Sequence, residues 1–284
     1  MQSTVSPASL THPAAGRPVR IGVQLSPQHF DSYTQIRDAV LRAEEMGVDA
    51  IFNWDHFFPL TPPMDAPHFE AWTMLGAWAE QTERVEFGPL VNCNSYRNPD
   101  LQADMARTVD HISARGTGVG RFIFGTGSGW AQRDYDAYGY EYGTVGSRLD
   151  ALAEDLPRII ARWEVLDPPP TRRIPVMIGG KGERKTLRLV ARHADIWHTF
   201  TELDDLPRKI GVLHDWCERE DRDPAQIELS TGYTLRRPME LDDELLDAWY
   251  ALGVRLVIPG IDGPDYDLSS VKPVLRWRDR INGA

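Results

Sequence analysis

Cysteine is scarce in this chain. Only Cys93 and Cys217 occur among 284 residues, with no CxxC and no Cys/His ligand spacing. Neither a disulfide framework nor a zinc centre is therefore expected to organise the fold, and the expected setting is a reduced cytoplasm. Long apolar runs are lacking too. No window approaches the roughly 20 residues that a membrane helix needs, which predicts a soluble chain with no membrane partner. Residues 1–16 lack the basic stretch and sustained apolar core of a secretory signal and read as a flexible tail, leaving 17–284 as one domain. Positive charge is in deficit, with 31 Lys and Arg against 42 Asp and Glu for a net charge of −11. That balance argues against nucleic acid as a partner, although it is compatible with a local basic pocket for a phosphorylated ligand. The signatures of several catalytic classes are also missing: there is no GxSxG elbow, no GxxxxGK[ST] phosphate loop, and no HExxH or other metal spacing.

What the chain has is a regular alternation. Hydrophobic residues make up 42 % of it, enough for a sizeable core, and its length is near the roughly 250 residues typical of a (β/α)8 barrel. Short β-like runs at 19–25, 50–54, 85–91, 121–125, 174–178, 195–199, 227–235 and 255–258 alternate with longer segments of helical spacing. In 33–46, for example, Ile36, Val40, Ala43 and Met46 recur at three- and four-residue intervals before Gly47. Asn98-Pro99 supplies a cap and a first-turn proline for the helix that runs to about Ser113. The acidic pairs Asp204-Asp205 and Asp242-Asp243 suit helix starts better than glycosidase acids. Glycines and tyrosines after 125 predict a loop before a helix over 147–163, and a further helix is predicted over 183–193. Trp72, Trp78, Trp163 and Trp249 fall on helices and are expected in the core. Eight strands alternating with helices favour parallel βαβ units and a single TIM-type barrel of the α/β class, with an open doubly wound sheet as the alternative.

In such a barrel the ligand lies where the strands end at their carboxyl side. Asn53, Asp55 and His56 follow the second strand; Asn92, Asn94, Tyr96 and Arg97 the third; Ser128, Trp130 and Arg133 the fourth; and Gly179-Gly180-Lys181-Gly182 the fifth. His56 is the candidate for proton chemistry, because an imidazole can accept or donate a proton near neutral pH. A histidine that merely satisfies a loop carbonyl is the alternative, and Asp55 either orients it or caps the turn. Gly125-Thr126-Gly127-Ser128-Gly129-Trp130 departs from the dinucleotide pattern GxGxxG and reads as backbone that a flat ligand can approach, or as a tight turn. The 179–182 turn, with its amides and Lys181, suits a terminal phosphate, a plain strand-to-helix turn being the alternative; Glu183 dilutes its positive field.

In their shared order these landmarks resemble the luciferase-like monooxygenase superfamily, particularly its coenzyme F420-dependent oxidoreductases. The resemblance is carried by Asp55-His56-Phe57, Phe69-Glu70-Ala71-Trp72-Thr73, Gly88-Pro89-Leu90-Val91-Asn92 through Tyr96-Arg97-Asn98-Pro99, the glycine run ending at Trp130, Ile174-Pro175-Val176-Met177-Ile178-Gly179-Gly180 and Ala194-Asp195-Ile196-Trp197. It covers about 19–199, with a looser match beyond. It implies a TIM-like barrel with a deazaflavin at the carboxyl ends of the strands, and a non-proline cis peptide and bulge after the third strand that put Leu90, Val91 and Asn92 behind the ring. It also implies that Asp55, Gly127 and Ser128 lie along the cofactor, that Gly179, Gly180, Lys181 and Gly182 hold its phosphate, and that Phe57, Tyr96 and Trp130 line the pocket of a small-molecule substrate. His56 then supplies or accepts the proton that accompanies hydride transfer at the deazaflavin C5. Two departures stand out: Trp130 occupies the position of a catalytic glutamate in the family's sugar-phosphate dehydrogenases, and Leu60 that of a tryptophan. The resemblance thus implies a dehydrogenase or reductase of another organic substrate. The first alternative is an FMN-dependent luciferase-type monooxygenase, the second a non-catalytic cofactor-binding or interaction barrel. The interval 164–173, where these enzymes commonly insert an excursion, is short here, which implies a more open mouth or one covered by a second copy in a homodimer.

Overall fold

The computed structural model describes residues 11–14, 16–233 and 241–283. Among them, nine parallel strands form one sheet in the order β3-β2-β1-β9-β8-β7-β6-β5-β4. They are β1 (Arg20–Leu25), β2 (Ala50–Asn53), β3 (Glu86–Pro89), β4 (Asn92–Cys93), β5 (Phe124–Gly127), β6 (Val176–Gly179), β7 (Ile196–Thr199), β8 (Glu228–Tyr233) and β9 (Val254–Ile261). β3 falls within the expected third strand, which ends two residues early at Pro89; β4 resumes beyond it at Asn92, and the Leu90-Val91 peptide bond between them is cis as the resemblance implies. β3 pairs with β2, β4 pairs with β5, and Phe87 bridges to Phe122 just before β5, so the two ends of the sheet meet. The architecture is a TIM-type barrel with one broken stave, which rules out the open sheet.

The meeting of the ends depends on glycine. A Cβ at Gly88 would lie 2.0 Å from the Ile123 carbonyl oxygen, and one at Gly125 would lie 1.9 Å from that of Pro89. No side chain fits at either position. The fourth strand starts at Phe124 rather than at 121, and Arg121 is occupied instead in donating to the carbonyls of Ala79, Thr82 and Val85.

The helices are α1 (Tyr33–Glu45), α2 (Ala71–Gln81), α3 (Pro99–Ser113), α4 (Gln132–Tyr138), α5 (Val145–Val165), α6 (Thr186–His193), α7 (Leu206–Arg219), α8 (Asp243–Ala251) and α9 (Val271–Asn282). Asn98 caps α3 by accepting from the Asp100 amide at 2.9 Å, with Pro99 in the first turn, and Asp242 caps α8 by accepting from Leu245 at 2.9 Å. Asp205 precedes α7, but its carboxylate faces Arg208 at 2.7 Å. Two segments depart from expectation. The stretch after the glycine run contains α4, and α6 begins at Thr186 rather than 183 because Glu183 is drawn to α7 by Lys209 at 2.5 Å. Residues 234 and 235 of the expected seventh strand lie outside the described residues.

The core has two layers. Between sheet and helices lie the four expected tryptophans, all buried. Inside the barrel Ala50, Phe52, Ile123, Met177, Ile196, Leu256 and Ile258 form a separate cluster that fills the lower bore. Each of these fully buried side chains except Ala50 contributes about 1.5–3 kcal/mol. The bore is packed, so within the barrel a ligand is left the carboxyl ends of the strands. Within the segment read as a tail, His12 is docked: its amide donates to Leu252 O at 2.8 Å, and its Nε2 donates to Ile227 O at 2.7 Å. Among the described residues no helix is long and apolar enough to cross a membrane.

Candidate active site at the carboxyl ends of the strands

The turn after β2 carries His56. Its base is fixed by Trp54, whose indole N–H donates to His68 Nε2 at 3.0 Å. His68 is thereby an acceptor, and burial holds its pKa down at about 4. His56 Nδ1 donates to Asp134 Oδ2 at 2.6 Å, and the same carboxylate accepts from the Phe57 amide at 3.2 Å and the Tyr96 hydroxyl at 3.1 Å. Asp134 sits in α4 and is 2 % exposed, so the helix that sequence periodicity does not show is what delivers the partner of His56. With Nδ1 committed as a donor to Asp134, Nε2 is the ring nitrogen left for any further hydrogen bond.

Around this pair stands an aromatic wall. Trp130, half exposed, lies edge-on to His56 at 5.3 Å between ring centroids. Phe57 stacks on Tyr138 at 4.0 Å and packs against Tyr96 at 4.8 Å. Tyr96 is buried behind Phe57, and burial pushes its phenol pKa up, so it supports the pocket wall as a neutral donor and does not line the opening.

Asp55, expected along the cofactor, is committed elsewhere. Its oxygens accept from Arg97 at 2.7 and 2.9 Å and from the Cys93 amide at 3.0 Å, and Arg97 continues to Glu70, the cap of α2, at 2.9 Å. This pairing has a simple cause: a buried carboxylate at 1 % exposure requires a cation, and Arg97 provides it in two-pronged geometry. Asn92 is buried as well, accepting from Trp72 Nε1 at 2.9 Å and donating to Gln102 at 2.7 Å. Both residues brace the broken stave from behind.

The floor of the mouth is built from what is missing. Gln24 Nε2 donates to Leu90 O at 2.7 Å, and the Leu90 amide donates to Asn53 O at 2.7 Å, which fixes the chain just before Val91. The Val91 methyls then fill the space beside Gly127 and Gly179, where a Cβ would come within 2.8 and 3.0 Å of them. The backbone is bare on both sides of one small side chain, a surface suited to a flat group. Gly129 (φ 75°) turns the chain away; a Cβ there would lie 2.2 Å from the Tyr135 hydroxyl. Ser128 is partly buried and accepts from that hydroxyl through its carbonyl at 3.3 Å.

At the end of β6, Gly180 (φ 132°) donates its amide to His198 O at 3.0 Å, and a Cβ on Gly182 would lie 2.8 Å from Thr186 Oγ1. Lys181 and Gly182 are exposed beside this turn. Glu183 does not oppose an anion here, because its carboxylate is paired with Lys209 at 2.5 Å and Arg208 at 2.6 Å, which hold its pKa down at about 2. Among the described residues no cluster of three or more His, Cys, Asp or Glu is arranged to hold a metal ion.

The sequence pattern of the luciferase-like monooxygenases matches residues 11–250. This chain belongs to that family. Its relatives include the F420-dependent glucose-6-phosphate dehydrogenase of Amycolatopsis mediterranei, 33 % identical over 147 residues, a stretch that covers 51 % of this chain and 42 % of that protein. The chain thus spans less than half the length of that relative. In fold, the family member is similar to an F420-dependent secondary alcohol dehydrogenase solved with an F420-acetone adduct (TM-score 0.77, 17 % identity, 92 % of this chain and 98 % of that one). It is also similar to a riboflavin lyase solved with modified FMN and riboflavin (TM-score 0.74, 11 % identity, 94 % and 96 % covered).

Three polar residues of this mouth escape sequence reasoning: Asp134, His198 and Ser230. Asp134 had one available signal, a carboxylate four residues after Trp130. His198 and Ser230 had none, since their meeting depends on strand register.

Proposed function

We propose that this luciferase-like protein is an F420-dependent oxidoreductase acting on a small organic substrate. The observation that carries the reading is the floor of Val91 between Gly127 and Gly179, with His56 and Trp130 at one side and the Lys181 turn at the other. These residues suit a planar ring bearing an anionic tail. When bound, F420 supplies a two-electron centre that exchanges a hydride with the substrate.

The chain's own contribution follows from its contacts. Leu90, Val91 and the bare backbone at Gly127 and Gly179 support one face of the ring, with Ser128 at its margin. The 179–182 turn and Lys181 hold the phosphate. His56 Nε2 gives or takes the proton at the substrate heteroatom, and Asp134 keeps the imidazole in the orientation that presents it. Trp130 and Phe57 cover the reacting face and exclude water. With Trp130 in place of an acid, His56 is the proton-transfer group of this face, and the aromatic wall suits an uncharged substrate better than a sugar phosphate.

FMN on the same floor is the second reading, supported by the FMN-containing neighbour of the same fold. Titration of the purified protein with F420 and with FMN, followed by fluorescence and absorbance, separates the two. Tighter binding of F420 is expected. Preference for FMN overturns the cofactor assignment, and binding of neither leaves an interaction barrel. His56→Ala is expected to lower turnover at least a hundredfold while cofactor affinity changes less than threefold, about the size of a lost general acid or base; unchanged turnover removes His56 from the reaction.

A further inference from the structure

One buried polar pair faces the same mouth and has no part in the scheme above. His198 lies on β7, in register with Gly179 of β6 on one side and Ser230 of β8 on the other. Two residues earlier, Ile196 belongs to the cluster inside the barrel, and Trp197 between them packs outward. Strand alternation therefore points the imidazole inward, one layer above the packed bore and level with the glycine floor. Its Nδ1 is 2.8 Å from Ser230 Oγ, while Nε2 is buried with no hydrogen-bond partner among the described residues. Phe200 lies edge-on to the ring at 4.7 Å and is itself partly exposed at the mouth.

Burial with no charged partner pushes the His198 pKa down to about 3, so the ring is neutral at physiological pH. A neutral imidazole has one donor and one acceptor nitrogen. Ser230 takes one of them, and proteins rarely leave the other buried and unsatisfied unless a ligand or water completes it. The neighbouring position on β6 is Gly179, so no side chain separates the imidazole from the floor on that side.

We propose that His198, oriented by Ser230, hydrogen-bonds through Nε2 to the lactam edge of the planar group held on the glycine floor. A lactam presents a C=O beside an N–H and so satisfies either tautomer. If the Ser230 hydroxyl donates to Nδ1, Nε2–H meets the carbonyl; if Nδ1–H donates to Ser230, Nε2 accepts from the N–H. Phe200 tips aside as the edge enters. This role rests on the cofactor reading, because F420 and FMN share a pyrimidinedione edge and the substrate need not.

The test compares F420 and FMN affinities of the wild type, His198→Leu and His198→Gln, together with the nitrogen-15 resonance of His198 Nε2 with and without cofactor. His198→Leu is expected to weaken binding about tenfold, the worth of one hydrogen bond, with a thermal midpoint close to that of the wild type, because removing the unpaired Nε2 offsets leaving the buried Ser230 hydroxyl without its imidazole partner. His198→Gln, whose amide nitrogen reaches the place of Nε2, is expected to stay within about threefold. In the wild type, the Nε2 resonance moves on saturation. If the wild type binds cofactor and His198→Leu binds it equally well, the inference falls while the cofactor reading stands. If His198→Leu fails to fold, an unmoved Nε2 resonance in the wild type overturns it. A wild type that binds neither cofactor removes both.

Discussion

Asp134→Asn isolates the link between the unexpected helix α4 and the chemistry of His56. The carboxylate accepts three hydrogen bonds, from His56 Nδ1 at 2.6 Å, Tyr96 at 3.1 Å and the Phe57 amide at 3.2 Å. Asparagine keeps the volume but has one acceptor oxygen. Turned so that its NH2 faces Phe57, it sets two N–H groups against each other, and the backbone amide cannot adapt. The opposite turn leaves the oxygen on Phe57 and presents the NH2 to His56 and Tyr96, both of which can become acceptors, the imidazole by moving its proton from Nδ1 to Nε2. This second arrangement wins. It exchanges charge-assisted bonds worth about 1.5–3 kcal/mol each for neutral ones of about 1 kcal/mol, so the fold loses about 1–3 kcal/mol and survives. The functional change is larger in the direction in which His56 takes the proton, because Nε2 now carries a hydrogen and cannot accept another. Turnover is expected to fall about 10²–10³-fold, within the range of a lost general base, with F420 affinity within threefold, since Asp134 does not reach the floor. Long-range nitrogen-15 spectra of histidine-labelled protein read the tautomer directly, and His56→Gln assigns the signal. Asp134→Glu, which retains two acceptors, is expected to recover much of the loss. An Nδ1–H tautomer retained in Asp134→Asn, or turnover within threefold of the wild type, refutes the reasoning.

Gly127→Ala places a Cβ 2.8 Å from Val91 Cγ2, and Val91 is β-branched with little freedom to turn. A stability loss of about 1–2 kcal/mol from overpacking is expected, with cofactor affinity falling at least tenfold as the floor is lifted; a denaturation curve and a fluorescence titration measure the two, and unaltered affinity contradicts the floor assignment. The buried histidines also set an acid limit. His12 and His68 each have a pKa depressed to about 4 in the folded chain against 6.5 unfolded, so the unfolded chain binds the extra protons between these values. Their stabilisation is complete above about pH 6.5 and is lost as the pH falls towards 4, with a slope of at most about 1.4 kcal/mol per pH unit per group. Urea midpoints at pH 7 and pH 5 should differ, and His12→Gln with His68→Gln should flatten the difference; equal midpoints in the wild type count against it.

Those parts of the structure that repeat were legible from sequence, because each strand and helix advertises its own period. The barrel follows from the alternation, and the caps at Asn98 and Asp242 follow from residue type. The broken third stave does not, since 85–91 reads as one apolar run; its division is imposed by Gln24 and the Asn53 carbonyl, and only the likeness to a known family foresaw it. Helix α4 was hidden by the glycines on both sides and by a seven-residue length too short to show a period.

The site divides in the same way. His56 is conspicuous as a histidine in a loop after a strand, and Asp55 beside it is equally conspicuous; the structure pairs the first with Asp134 and the second with Arg97. Adjacent residues on an extended turn point to opposite sides, so proximity in sequence favours one of them for the mouth and the other for the scaffold. The true partner of His56 arrives from 78 positions away, and the pair His198 and Ser230 meets across 32. Polar contacts at a barrel mouth are lateral, made between neighbouring staves. Sequence reading can therefore nominate the residues at each strand end, and only strand register and the loop helices show which of them meet.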